Sequence, residues 1–298
     1  MYLNTNGIVM DQQSGFRKRR QTKDNLTFLI QKSFESNRNG KSVVAIFFDI
    51  QSAFDKVWHL GLLNKLVKLR VPYYLVRTYY LVRIIREFLR DRTFVVKVNG
   101  EFSLVRKIGA SVPQGGVLSP TLFAVYINDS PSRKIKNKRY TLLFADDLAY
   151  FEIYKKKNTM LENRVNKFLS ELAMWPAKWR LTLAMHKCVY TTFTRKHAID
   201  EFNLKLNNEI LPYDENPKFL GIHFDSKLNF NKHIEYILEK CNERIGVIKA
   251  LSFGCFKLPF HILRALYKSL IRSLMEYSSM ISTLISDKQM KKLQTIQN

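Results

Sequence analysis

The sequence predicts an α+β fold, with a small antiparallel sheet backed by helices and a wholly helical C-terminal region. Three observations predict it. Short apolar runs rich in β-formers, Val43–Phe48, Tyr140–Ala145 and Leu148–Ile153, are set among longer stretches of helical period. Only Asp146 and Asp147 stand between the second and third runs, so those two strands form an antiparallel hairpin. From about Asn231 to the end, strand signals give way to basic faces and apolar stripes at helical spacing. That change of period near residue 230 is the best domain boundary.

Taken in order, residues 1–25 are polar and basic, with Arg17, Lys18, Arg19, Arg20 and Lys23. A helix is expected from about Asp24 to Asn37, and Asn39-Gly40 supplies a turn. Val43–Phe48 reads as a buried strand that ends at Asp49. Ser52, with Asp55 three residues on, reads as a capping box. A helix is therefore expected from there to about Leu69, with Phe54, Val57, Leu62, Leu63 and Leu66 facing inward. Tyr73-Tyr74-Leu75-Val76-Arg77 recurs at once as Tyr79-Tyr80-Leu81-Val82-Arg83, a local duplication too short for a solenoid. Phe94–Val98 and Phe102–Ile108 flank Asn99-Gly100, the strongest short hairpin signal.

Ser119-Pro120 opens a further helix, Ser as cap and Pro in the first turn, running to about Asn128. A basic loop, Arg133 to Arg139, leads into the paired strands. The helix after them, from about Thr159 to Trp175, is expected to be interrupted or kinked by Pro176. Short strands follow near Val189–Thr194, Phe202–Leu206 and Phe219–Phe224.

Composition narrows the partners. A chain of 298 residues with 46% apolar and 13% aromatic residues can bury a core and form two or three subdomains, which excludes disorder as its main state. Forty-nine Lys and Arg against 25 Asp and Glu leave a formal net charge of +24. A surplus of that size calls for a polyanion, nucleic acid before an acidic membrane surface. Cys188, Cys241 and Cys255 are far apart without Cys-x-x-Cys spacing, so neither a disulfide framework nor a zinc site is expected. Met1 to Asp11 carries no apolar signal core, and no apolar run approaches the roughly 18 to 20 residues of a membrane helix. A reduced, intracellular, soluble or peripheral protein is expected. The six histidines are scattered and are expected as caps and surface positions. Trp175 and Trp179, four apart, are expected in the core.

The residues with the clearest chemistry are acids. Asp49 ends a buried strand, and Asp146 and Asp147 sit at the tip of an apolar hairpin. An Asp pair is also an ordinary hairpin tip, since Asp tolerates turn geometry. Two adjacent acids between strands are costly, however, unless a cation or water screens them. If the strand ends are neighbours in one sheet, three carboxylates meet. Two magnesium ions about 3.5–4 Å apart need such a set for nucleotidyl transfer, since magnesium takes oxygen ligands and keeps several waters.

Several segments, in order, resemble the reverse transcriptases of non-LTR (LINE-type, jockey-like) retrotransposons. Phe47-Phe48-Asp49-Ile50-Gln51-Ser52-Ala53-Phe54-Asp55-Lys56-Val57 is similar to that family's first palm motif. Ser111-Val112-Pro113-Gln114-Gly115-Gly116-Val117-Leu118-Ser119-Pro120 is similar to the second, and Phe144-Ala145-Asp146-Asp147 to the third. Gln13-Ser14-Gly15-Phe16-Arg17, with Arg20 and Thr22, resembles the fingers motif, and Lys218-Phe219-Leu220-Gly221-Ile222 the primer grip. The resemblance runs from about residue 11 to 225, with a weaker thumb-like continuation.

The resemblance implies a right-hand polymerase fold. Residues 1–45 would be partial fingers and 46–110 palm with fingers elements. Residues 111–230 would be palm with the Asp-Asp hairpin and primer grip, and 231–298 a helical thumb. It implies RNA-directed DNA polymerase activity, with an RNA template, a DNA primer, deoxynucleoside triphosphates and two Mg²⁺ ions, Mn²⁺ as a substitute. Asp49, Asp146 and Asp147 would be metal ligands, joined by the Ile50 carbonyl. Phe54 would be a steric gate against a ribose 2′-hydroxyl; a plain core role is its other reading. Gln114, followed by the flexible Gly115, would contact the nucleotide or template base. Arg17 and Arg20 would grip the triphosphate. Lys187 would protonate pyrophosphate, or else be a surface lysine.

Gly116 stands where the family usually has Ser, and Leu183-Ala184-Met185-His186 where it usually has an Asn. The family's usual upstream fingers residues, endonuclease domain and Cys/His knuckle do not occur in this sequence, which is expected to be a fragment or an open reading frame left by a degraded element. Two alternatives stay open: a relic that binds RNA–DNA duplex without extending it, and a two-metal nuclease. The resemblance favours the nucleus.

Overall fold

β-Branched and aromatic residues make Ser42–Phe48 a strand buried on both faces, and it lies inside a four-stranded sheet. The computed structural model describes residues 7–69, 78–131, 138–253 and 258–297. In chain order come α1 (Thr22–Arg38), β1 (Ser42–Phe48), α2 (His59–Lys68) and α3 (Thr78–Leu89). Four short strands follow: β2 (Thr93–Phe94), β3 (Lys97–Val98), β4 (Glu101–Phe102) and β5 (Arg106–Lys107). Next are α4 (Ser119–Tyr126), β6 (Arg139–Phe144), β7 (Asp147–Tyr154), α5 (Thr159–Lys178) and β8 (Val189–Phe193). Two small hairpins pair β9 (Lys205–Leu206) with β10 (Glu209–Ile210), and β11 (Lys218–Phe219) with β12 (Ile222–His223). The C-terminal part holds α6 (Asn231–Phe253), α7 (Phe260–Leu266), a π-helical turn (Tyr267–Arg272), α8 (Ser273–Tyr277) and α9 (Asp287–Gln297).

The sheet runs β6-β7-β1-β8 and is antiparallel throughout. The two-residue period of β1 divides the core. Val44, Ile46 and Phe48 pack with α2, α4 and α5, whereas Val43, Ala45 and Phe47 pack with α1 and the β11–β12 hairpin. Helix α5 supplies Leu161, Val165, Phe168, Leu169 and Leu172, one stripe at helical spacing. Asn158 caps it, its Oδ1 accepting from the Leu161 amide at 2.8 Å. Tyr150 stacks on Phe168, centroids 4.2 Å apart, which ties β7 to this helix. Each such fully buried large side chain contributes about 1.5–3 kcal/mol.

Four expectations are corrected. The helix after β1 starts at His59, because Ser52 adopts a left-handed φ of 49° and residues 51–56 form turns. No capping box forms at Ser52 and Asp55. The Gln51 amide donates to the Thr182 carbonyl at 2.9 Å, so a distant segment holds the chain extended where local signals favoured a helix. Leu118, not Ser119, is the N-cap of α4. Pro176 does not end α5, which continues to Lys178; the Pro176 carbonyl accepts from the Trp179 and Leu181 amides and closes the helix end. His233 is 2% exposed rather than superficial. Its Nδ1 accepts from the His223 amide at 3.4 Å and its Nε2 faces Ser278 Oγ at 2.9 Å, which joins β12 to α6 and the C-terminal helices.

The Asn99-Gly100 hairpin forms as two short pairs, β3–β4 at the tip and β2–β5 below, all solvent-exposed. Trp175 and Trp179 are in the core, each 8% exposed. The second copy of the tandem repeat lies in α3; the first copy, and Arg133–Asn137 of the basic loop, lie outside the described residues. Among the described residues no helix is long and apolar enough to cross a membrane.

Candidate active site

The register of the sheet brings the acids together. Phe48 on β1 pairs with Leu148 on β7, so one step further sets Asp49 opposite Asp147. Directly opposed residues have Cβ atoms about 4.5–5.5 Å apart. Phe144 pairs with Asp147, so the hairpin turn is Ala145-Asp146 and Asp147 already belongs to β7. That corrects the expectation that both acids stand between the strands.

The turn is strained, since Ala145 takes a φ of 56°. Gln13, 1% exposed, holds it. Its Oε1 accepts from the Ala145 amide at 3.0 Å and its Nε2 donates to the Ala145 carbonyl at 3.3 Å. Oε1 also accepts from the Gly15 amide at 2.7 Å. A Cβ on Gly15 would lie 2.3 Å from the Ala145 nitrogen, so only glycine lets the two backbones approach. Ser14 and Gln12 pair with both sides of Leu143, and Asn25 Nδ2 donates to its carbonyl at 2.9 Å. Gln13 was not singled out from the sequence as a site residue; its signal was its place in the Gln13–Arg17 motif.

A cavity of about 460 Å³ opens at this end of the sheet, and Asp49, Ile50, Phe54, Gln114, Asp146 and Lys187 all line it. Lys187 Nζ lies 3.0 Å from Asp49 Oδ2, from 138 positions along the chain. It arrives there because the Ala184 amide donates to the Asp49 carbonyl and Ile50 bridges to Leu183. The bridge uses the groups of Asp49 and Gln51, leaving the Ile50 carbonyl outside it. Phe54 stacks on Phe123, centroids 4.6 Å apart, and meets Phe16 edge-on, so it packs against the core and faces the cavity at once. Gln114 Nε2 donates to Asp55 Oδ1 at 3.1 Å, and Gly115 has a φ of 83° that suits glycine. His186, expected merely as a surface residue, also lines the cavity.

Arg17 and Arg20 lie elsewhere. Arg17 Nη1 donates to the carbonyls of Met10 and Gln13, and Arg20 lines a neighbouring cavity along β6.

The electrostatics are those of like charges forced together. Burial pushes the Asp146 carboxyl up, with Asp49 adding to the effect. Asp147 is pushed up to about 6, first by burial and then by Asp146 and Asp49, with Lys187 opposing. The ion pair with Asp49 raises Lys187. Among the described residues no three His, Cys, Asp or Glu side chains close into a ligand cage; Lys187 is the counter-charge at Asp49. Open carboxylates of this kind suit a hard cation that keeps waters and shares substrate oxygens.

Residues 2–224 match the family described as reverse transcriptase (RNA-dependent DNA polymerase). The chain is 29% identical over 291 residues to the RNA-directed DNA polymerase from mobile element jockey of Drosophila melanogaster, covering 96% of this chain and 31% of that protein. It is also 29% identical to the probable RNA-directed DNA polymerase from transposon BS of the same fly, covering 98% of this chain and 32% of that one. The chain thus spans under a third of the length of these relatives. Among solved structures it is similar to telomerase from Candida albicans in complex with a TWJ fragment of telomeric RNA, with a TM-score of 0.53, 13% identity, and coverage of 99% of this chain and 50% of that one. Apo telomerase from Candida Tropicalis gives a TM-score of 0.52 at 12% identity, covering 99% and 52%. At such identities the likeness is one of fold, the right-hand polymerase architecture. Because the family match extends through the acidic hairpin and the strands after it, the chain belongs to the reverse transcriptase (RNA-dependent DNA polymerase) family.

Proposed function

We propose that this chain is the polymerase core of a jockey-like non-LTR retrotransposon enzyme and extends a DNA primer along an RNA template. One observation carries the reading: Asp49, Phe54, Gln114, Asp146 and Lys187, from segments widely separated in sequence, open on one cavity. A bland surface role for these residues gives no reason for that convergence.

In this reading Asp49, Asp146 and Asp147 would hold two Mg²⁺ ions, with the Ile50 carbonyl as a further ligand. The donors fit, being hard oxygens whose mutual repulsion a divalent cation relieves. Such ions, when bound, would supply Lewis-acid activation of the primer 3′-hydroxyl and charge stabilisation of the leaving pyrophosphate. The protein's own groups do the rest. The Phe54 ring, braced by Phe123, blocks the space of a ribose 2′-hydroxyl. Gln114 exchanges its bond to Asp55 for one to the incoming nucleotide or template base. The Lys187 ammonium supplies a proton to pyrophosphate. For Arg17 to grip the triphosphate with Arg20, it must exchange its bonds to the Met10 and Gln13 carbonyls. The division into fingers (1–45), palm with fingers elements (46–110), palm (111–230) and thumb (231–298) belongs to the same proposal.

Primer extension on poly(rA)/oligo(dT) with Mg²⁺ tests it. Incorporation is expected, with Mn²⁺ as a weaker substitute, and Asp146→Asn is expected to abolish it. Undiminished synthesis by Asp146→Asn would remove the mechanism. Tight, salt-sensitive binding with no incorporation would instead mark a duplex binder.

A further inference from the structure

A further cavity, of about 590 Å³, lies at the other end of the β6–β7 hairpin. Lys138, Arg139, Lys155, Lys156 and Arg164 line it, and among the described residues Glu152 is the one carboxylate on its wall. We propose that this cavity binds phosphate groups of an RNA strand outside the catalytic cleft.

Charge accounting supports this. Glu152 is 2% exposed and its charge is already satisfied: Arg164 Nη2 and Nε contact its Oε1 at 2.5 and 2.7 Å, and the Tyr150 hydroxyl donates to Oε2 at 2.8 Å. These contacts fix Arg164, whose side chain is 44% exposed. Lys155 and Lys156 are exposed, and among the described residues no carboxylate lies within ion-pair distance of them or of Lys138. Nearby ion pairs, Lys157 with Glu162 and Lys196 with Asp200, use up the adjacent acids.

Geometry adds a second argument. The 20-residue helix α5 begins at the rim, Asn158 at its cap, with the positive end of its dipole at the cavity. Arg139 pairs with Glu152 at one end of the hairpin and Phe144 with Asp147 at the other. Five steps of about 3.4 Å put the cavity about 17 Å from the acids. Arg139 also lines the cavity along β6 that contains Arg20, Asp11 and Asp24, so the two cavities adjoin at Arg139. The inference takes RNA as the ligand from the proposed function, but its test needs no turnover.

The test measures binding of a labelled single-stranded RNA of about 40 nucleotides by fluorescence anisotropy across salt, with Asp146→Asn as a chemistry-dead control. A triple variant, Lys138→Glu with Lys155→Glu and Lys156→Glu, is expected to lose at least about tenfold in affinity, and its log–log salt slope to fall by about 2, the value for three single-strand contacts. Affinity for a short poly(rA)/oligo(dT) hybrid is expected to hold, as is extension on it. If the triple variant fails to fold by circular dichroism, Lys→Gln at the same three positions carries the same expectation. An unchanged RNA slope, or equal losses on RNA and short hybrid, would overturn the proposal. So would wild-type binding to phosphatidylserine vesicles that RNA does not compete away. Loss of extension alone, with RNA binding as in wild type, counts against this site without touching the catalytic reading.

Discussion

At the end of the sheet Asp49, Asp146 and Asp147 are held near one another, like charge against like; on the helical side of the core Lys65 and Asp129 are held together as opposites. Lys65 Nζ lies 2.6 Å from Asp129 Oδ1 and 3.5 Å from the Trp179 ring centroid, and it also donates to the Tyr126 carbonyl. Trp175 Nε1 donates to the same Asp129 oxygen at 2.9 Å. Every charge in that cage has a protein partner. At the acidic end, among the described residues, only Lys187 opposes three carboxyls, and it stands 60% exposed. The cage links three helices; the acidic end costs stability and leaves oxygen atoms facing a cavity. Uncompensated charge on rigid strands is what a site for ions and phosphates requires.

Were the acids structural, removing one would destabilise the protein. Asp147→Asn is expected to lower extension by about 10²–10³-fold or more. It is also expected to raise thermal stability, by about 1 kcal/mol, because a like charge is removed; the carboxyl is partly solvated, which limits the gain. A melt that falls in step with activity would assign Asp147 to the core instead. Lys65→Ala should do the reverse. It leaves Asp129 and the Tyr126 carbonyl without their cation, and a loss of about 3 kcal/mol is expected in denaturant titration. Per folded molecule, extension should change little. An unchanged melt would show that the cage contributes nothing.

Gln13 acts on the acids without charge. Gln13→Ala removes both bonds to Ala145, and the turn can relax from its left-handed φ. A loss of about 1–2 kcal/mol is expected, with kcat falling about tenfold or more while KM for the nucleotide stays near wild type. A shift confined to KM would mean that Gln13 serves binding rather than placement of Asp146.

How much of this was legible depended on the reach of each interaction. Val43–Phe48 and the paired strands around the Asp pair each carry their own period, and the structure places them within a residue or two; α5 starts at Thr159 as expected and ends at Lys178, beyond the expected Trp175. The acids were legible because strand ends in one sheet converge. What failed was local reading overruled from afar. Ser52 and Asp55 carry a capping pattern, but Thr182 and Ala184 take the backbone groups of Gln51 and Asp49 first. Ala145 carries no turn signal, and its φ is set by Gln13, 132 positions earlier. His233 looked superficial because the chain that buries it, through Ser278, lies 45 residues on. Trp179 was read as core; that it lies over a lysine depends on Lys65 of another helix.

The smallest expected effect is on the pH dependence of stability, and it separates the two charge sites again. Burial pulls Lys65 down to about 8 from 10.5, more than Asp129 restores. Below about 8 the folded protein carries the full cost of the buried ammonium. Between about 8 and 10.5 the unfolded chain binds more protons than the folded one, so this group makes stability rise with pH. Asp147 works in another window with the opposite sign. Raised to about 6 from 3.8, it makes stability fall as pH rises through that interval. His233, lowered to about 4 from 6.5, makes stability rise across nearly the same interval, so the acid side shows a partial cancellation. The alkaline side is cleaner. Between pH 7.5 and 9, wild type is expected to gain about 1 kcal/mol relative to Lys65→Met, which has no ammonium to lose. Parallel stability curves for the two proteins over that range would mean that Lys65 keeps an ordinary affinity for its proton, and that the aromatic cage shields it far less than its burial implies.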